Sequence, residues 1–137
     1  MAKLNAMTVD VEEYFQVEAF AYDVSIDSWP TYESRLQIQM DSLLQVFAET
    51  NVKATFFTLG WIAEKHPNII AKIVAEAHEL ASHGFMHQHL SKQDKQTFAE
   101  DIERAKKTLE DISGVAIKGF EGGQKPLIKI LPKNKYF

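Results

Sequence analysis

Two imidazoles, His83 and His87, stand four residues apart in the stretch Ser82-His83-Gly84-Phe85-Met86-His87. A helix-like turn between them would let both reach one metal ion. The residues ahead, Ile73 to Ser82, read as a helix end running into a short strand. That puts His83 at a strand's C-terminal end, where β/α enzymes collect their chemistry. The acidic run Asp10-Val11-Glu12-Glu13 closes the first expected strand and offers the oxygen ligand that a histidine pair lacks. Cysteine is absent, so any metal falls to His, Asp or Glu, a donor set that suits zinc or a similar divalent ion. A plainer reading stands beside this one. An i,i+4 histidine pair is a weak signal alone, Asp10 and Glu12 also read as a solvated strand end, and His87, with His89 nearby, reads as a surface-loop histidine.

The elements that must hold these residues follow a strand–helix rhythm. Leu4 to Asp10 reads as a buried strand ending in acid. Val11 to Pro30 carries Tyr14, Phe15, Phe20, Tyr22 and Trp29 without a clean period, a long loop with a helical turn expected near Tyr14. Its rings either cap the core or face a substrate. Over Tyr32 to Thr50, Leu36, Met40, Leu43, Leu44 and Phe47 recur at helical spacing, and Asn51 suits the left-handed residue that ends a helix. Lys53 to Leu59 is the second expected strand, broken by Gly60, with a short helix from Trp61 to Lys65. Pro67 opens a helix through Ala77, and Glu79 to His83 is the third strand. Ser91, with Asp94 three residues on, resembles a capping box for a helix to about Ile112. That helix buries Phe98, Ile102, Ala105 and Leu109, and pairs Glu100 with Arg104 and Glu103 with Lys107. Gly114 ends it, and Val115 to Phe120 is the fourth expected strand. The alternation predicts an α/β chain of parallel β/α units with right-handed crossovers.

Bulk properties narrow the function classes. At 137 residues the chain is one domain by length, long enough to bury a core. A net charge of −4 argues against nucleic acid as a partner. No run approaches the roughly 20 apolar residues of a membrane span. Met1 to Met7 is too short and polar for a secretory leader, so the expectation is a soluble protein, most simply cytoplasmic. The stretch from Glu121 changes character to a polar, Gly-rich break and an acid-free, lysine-bearing tail.

Three segments carry a family likeness: Thr8-Val9-Asp10-Val11-Glu12-Glu13-Tyr14-Phe15-Gln16, Val52 to Trp61, and His78 to His87. Over Met7 to Phe120 the chain resembles the N-terminal part of the polysaccharide deacetylases, the NodB-homology domain of carbohydrate esterase family four. It looks closest to the branch linked to bacterial exopolysaccharide synthesis. The resemblance implies part of a distorted, incomplete (β/α) barrel, a divalent metal, commonly zinc, and removal of acetyl groups from N- or O-acetylated polysaccharide. It places Asp10 at the general base. The family's adjacent metal carboxylate is replaced by Val11, and on the Asp-x-Asp spacing of some branches Glu12 becomes the ligand, with His83 and His87. Tyr14, Phe15 and Trp61 become the expected substrate-facing rings.

The likeness breaks after Phe120. Gly119-Phe120-Glu121-Gly122-Gly123 puts Glu121 where the family has an Arg that orients the base. The later motifs, an apolar pocket wall and a general-acid histidine, have no counterpart. The expectation is a partial domain over residues 1–120 and a divergent tail over 121–137, as a truncated or frameshifted gene would produce. Loss of a general acid removes roughly 10²–10⁴-fold of rate, so weak or absent deacetylase activity is expected, and a non-catalytic carbohydrate- or partner-binding remnant is the alternative. Unpaired strand edges of a half barrel predict a homo-oligomer, most simply a dimer.

Overall fold

Short runs of β-branched and aromatic residues alternate with amphipathic helices, and the result is a parallel sheet backed by helices. The computed structural model describes residues 5–122. Strands β1 (Thr8–Val11), β2 (Thr55–Thr58) and β3 (Glu79–Ser82) pair in parallel in the order β1-β2-β3. Each new strand joins the same edge, which is how a barrel grows, and with three strands it stays open. Helices α1 (Leu36–Thr50), α2 (Gly60–Lys65), α3 (Pro67–Ala75) and α4 (Lys95–Ser113) complete the frame. Among the described residues no helix is long and apolar enough to cross a membrane.

The core is the meeting of one sheet face with the apolar stripes of these helices. Leu36, Met40, Leu44 and Phe47 form the buried face of α1, Ile69, Ile70 and Ile73 that of α3, and Ile102, Ala105 and Leu109 that of α4. Phe56 and Leu59 fill the space between, both wholly buried. Fully burying a side chain of this size stabilises by about 1.5–3 kcal/mol. Asn51 closes α1 in the left-handed conformation, φ 53°.

Several expectations need correction. Helix α1 starts at Leu36, because Ile26–Thr31 forms a 3₁₀ turn around Pro30 and Tyr32 is extended. Ser91 sits in another 3₁₀ turn, Leu90–Lys92, and α4 is capped by Asp94, whose side chain accepts the Thr97 N–H at 2.7 Å. Arg104 pairs with Glu64 at 3.6 Å and Lys107 with Asp111 at 2.5 Å, in place of the expected helical partners. Phe98 is only half-buried.

The fourth strand is reduced to one parallel bridge between Ser82 and Phe120. The Ser82 N–H donates to the Gly119 carbonyl at 2.9 Å, and the Glu121 N–H donates to the Ser82 carbonyl at 3.0 Å. Upstream, α4 takes the backbone groups that a ladder would need. Glu110 Oε1 accepts the Ile117 N–H at 2.9 Å, and Lys106 Nζ donates to the Ile117 carbonyl at 3.3 Å. Of the expected first strand, Leu4 lies outside the described residues, as does the tail beyond Gly122.

Candidate metal centre

Strand register brings the two halves of the site to one edge. Val11 and Ser82 both lie opposite Thr58, one on each side of β2. The residues that follow them, Glu12 and His83, therefore emerge together at the C-terminal end of the sheet. The His83 N–H donates to the Thr58 carbonyl at 3.0 Å, extending the ladder by one bond. One ligand atom each from Glu12, His83 and His87 lie within 4.8 Å of one another. Asp10 Oδ, His83 and Glu121 form a second such group that shares His83.

The hydrogen bonds of the two rings decide their tautomers. His83 Nδ1 lies 2.9 Å from the Glu121 carbonyl, and His87 Nδ1 lies 2.7 Å from the Gln16 carbonyl. A carbonyl only accepts, so in each ring Nδ1 carries the proton and the neutral ring leaves Nε2 as a bare lone pair. His87 Nε2 stands 3.3 Å from Glu12 Oε2. That oxygen is buried and receives no hydrogen bond. In the neutral ring these are two facing lone pairs, which suit a shared cation, and two imidazoles with a carboxylate form a donor set that leaves positions open on a divalent ion. The residues present fit such an ion.

The backbone between the histidines does not turn like a helix, which corrects the simple i,i+4 expectation. Gly84 has φ 82° and His87 φ 52°, so the chain doubles back through two left-handed residues. Such a conformation is uncommon for a non-glycine residue and costs of order 1–3 kcal/mol, and it persists only where the surroundings enforce it. They do so here. Asp101 on α4 accepts the Phe85 N–H at 2.8 Å and the Met86 N–H at 3.3 Å. On the other side, the Gly60 and Trp61 N–H groups at the start of α2 donate to the Gly84 and Phe85 carbonyls at 2.9 and 3.2 Å. A Cβ on Gly60 would lie 2.3 Å from the Phe85 ring, so only glycine permits this approach. Burial raises the Asp101 carboxyl above its ordinary value, against the two backbone N–H bonds and Arg104, which lower it.

Asp10 and Glu121 face each other beside His83. Burial first, and the Asp10 carboxylate second, push the Glu121 carboxyl above its ordinary value, while His83 pulls the other way. The two carboxyls crowd one edge of the site, with a ligand atom of each within 4.8 Å of the other. Glu13 points elsewhere: it is buried, and its carboxylate accepts the Ser34 hydroxyl and, at 3.3 Å, the Arg35 N–H.

The aromatic residues of the long loop gather in one cluster. Phe15 is buried and meets Tyr14 edge-on at 5.2 Å, Tyr32 stacked at 5.1 Å and Trp61 edge-on at 6.2 Å. Tyr14 is 40% exposed, with the Arg35 guanidinium 5.0 Å from its ring centre. Trp61 is half-buried against Trp29 at 5.5 Å. Gln16, Asp101 and the Glu121 carbonyl are the site residues that sequence reasoning passed over. Asp101 left a trace, an acid beside the apolar stripe of α4. A backbone carbonyl leaves none.

Residues 27–123 match the family described as polysaccharide deacetylase, a span that begins beyond β1. A peptidoglycan-N-acetylglucosamine deacetylase of Bacillus cereus is 37% identical over 76 residues, 56% of this chain and 28% of that protein. A chitooligosaccharide deacetylase of Rhizobium leguminosarum bv. trifolii is 33% identical over 67 residues, 49% of this chain and 31% of that protein. Among solved structures, a peptidoglycan N-acetylglucosamine deacetylase superposes with TM-score 0.62 at 28% identity, over 84% of this chain and 44% of that one. The alignments thus span less than a third of these two curated relatives. With its open parallel sheet and the match over residues 27–123, the chain belongs to the polysaccharide deacetylase family, and its fold is part of that family's (β/α) barrel.

Proposed function

We propose that the chain is a metal-dependent deacetylase-type hydrolase acting on N- or O-acetylated polysaccharide, with a weakened reaction. The observation that carries this reading is the convergence of Glu12, His83 and His87, with both Nδ1 atoms committed to carbonyls and Glu12 Oε2 unpartnered. These three residues would hold the ion, for which the donor set favours zinc. Bound there, a divalent ion supplies Lewis-acid polarisation of the acyl carbonyl and eases deprotonation of water. Asp10 takes the proton of the attacking water. Tyr14 and the half-buried Trp61 supply the aromatic surface beside it, and Phe15, expected to face substrate, is buried and packs behind them. Relatives named for removing acetyl groups from peptidoglycan and chitooligosaccharide support an acetylated glycan as the substrate class.

The weakness has a local cause. Glu121 stands by Asp10 where a cation would orient the base, and an acid in that place offers Asp10 no favourable charge to pair with. The same observation favours a second reading, a carbohydrate-binding member of the fold without turnover. Acetylated amide and ester glycans, assayed side by side with zinc supplied, separate the two. Slow, zinc-dependent acetate release that Asp10→Asn abolishes supports the hydrolase. No release, with the glycan still bound, supports the binding module. In solution we expect a dimer that covers the open sheet edge at β1, and a monomer in sedimentation would rule it out.

A further inference from the structure

A second set of donors meets the His83 ring from one face of the sheet. Asp10 on β1 lies opposite Phe57, and Phe57 lies opposite Ala81 on β3, so the three share that face. Gly119 joins them, since a Cβ there would stand 3.1 Å from the Ala81 methyl. The bridge between Ser82 and Phe120 then sets Glu121 beside His83, two residues past Gly119 and Ala81. An oxygen of Asp10, an oxygen of Glu121 and a His83 ring nitrogen lie within 4.8 Å of one another. The nitrogen with a lone pair is Nε2, because Nδ1 donates to the Glu121 carbonyl at 2.9 Å. Glu12, His83 and His87 call on that same lone pair. One lone pair serves one ion, so the two groups cannot be filled together.

We propose that Asp10, His83 and Glu121 form a second cation seat, an alternative to the Glu12 centre that favours an oxygen-preferring divalent ion such as manganese. Its donors carry one more carboxylate and one fewer imidazole than the Glu12 set, which shifts the preference from zinc toward manganese or magnesium. Two carboxylates this close repel until a positive charge comes between them. Burial and Asp10 already press the Glu121 carboxyl toward its neutral form, and a divalent ion relieves the same crowding. The seat is held in place by backbone. The Glu121 N–H donates to the Ser82 carbonyl at 3.0 Å, and the His83 N–H donates to the Thr58 carbonyl at 3.0 Å. An ion in this seat takes Asp10 as a ligand, so the residue read above as the base is no longer free to accept a proton. The Glu12 centre leaves Asp10 free. Glu121 therefore turns one histidine into the pivot between an open and a silent metal position. That consequence rests on the deacetylase reading, but the seat itself does not, and its readout is metal binding alone.

The test is titration of the chelator-treated full chain with manganese, free ion being read by electron paramagnetic resonance and bound ion by water-proton relaxation. Manganese should bind near one equivalent. Glu121→Gln and Asp10→Asn keep the shapes and remove the charges, and each should weaken it about tenfold or more, with the circular dichroism spectrum unchanged. Glu12→Gln should hold manganese within about threefold, since Glu12 belongs to the other group alone. Zinc added to the manganese-loaded chain should release manganese one for one, because both ions need His83. No manganese binding by the wild type would mean that a proton alone settles the two acids, and would overturn the proposal. Unchanged manganese affinity in both Glu121→Gln and Asp10→Asn, or manganese and zinc held together at two equivalents, would overturn it too. Manganese lost in Glu12→Gln would place the ion in the Glu12 centre, striking this seat and leaving that centre standing. Manganese held as expected by a chain that binds no zinc would do the reverse.

Discussion

His87 Nε2 and Glu12 Oε2 stand 3.3 Å apart, and with Nδ1 turned to the Gln16 carbonyl the neutral ring directs its lone pair at the carboxylate. A metal ion between the two atoms turns that contact into a chelate, in competition with a proton on Nε2. Zinc titrated into the full chain should bind near one equivalent by elemental analysis, and Glu12→Gln, which keeps the shape and removes the charge, should weaken it at least about 100-fold. The His83→Ala/His87→Ala double variant should retain none. Zinc held equally well by that double variant would place the ion elsewhere.

Glu121 next to Asp10 makes a prediction of the opposite sign, a gain. Glu121→Arg replaces an acid that crowds Asp10 by a cation able to pair with it. Zinc-supplemented acetate release should rise on the order of tenfold, within what a well-placed base contributes. An unchanged rate would mean that Asp10 is not the base, or that base orientation does not limit the reaction.

What could be read in advance divides along a physical line. The helical spacing of Leu36, Met40, Leu44 and Phe47 and the β-branched and aromatic run Thr55-Phe56-Phe57-Thr58 reflect burial periodicity, which side-chain types record. Glu12 and His83 were legible as partners because both follow strand ends. The turn that brings His87 round was not, since it depends on two left-handed residues and on the backbone carbonyl of Gln16, a group that every residue carries. Val115 to Phe120 misled for a related reason. Its composition favours a strand, but Glu110 and Lys106 hold the backbone of Ile117 from α4, and only the bridge at Phe120 survives.

The loop that carries His87 is held from both sides, so its supports should couple stability to metal affinity. Asp101→Ala strands the Phe85 and Met86 N–H groups and should cost about 1–3 kcal/mol in urea unfolding. Gly60→Ala drives a methyl into the Phe85 ring and should cost about 1–3 kcal/mol by overpacking. Both should also weaken zinc, although neither residue is a ligand. A destabilised variant with wild-type zinc affinity would show that the loop's turn is set locally, by Gly84 and His87 alone.

His78 supplies a pH dependence away from the site. Its ring is packed among Phe47 and Phe56, its Nδ1 accepts the Ala54 N–H at 3.3 Å, and its Nε2 is buried without a hydrogen bond. Burial first and Lys53 second hold its pKa below the ordinary value, with Glu76 opposing. The fold therefore prefers the neutral ring, while the unfolded chain takes up a proton near pH 6.5. A base with a lowered folded pKa contributes stability that is present above the unfolded value and lost as pH falls through the folded one. The urea midpoint should accordingly drop as pH is lowered from about 7.5 to about 5.5. His78→Gln, which does not titrate and can still accept from Ala54, should be less stable at the upper pH but show a shallower slope. Every other group is common to both proteins, so the difference between the slopes isolates His78. Parallel slopes would mean that the ring finds a partner for its proton without leaving the core.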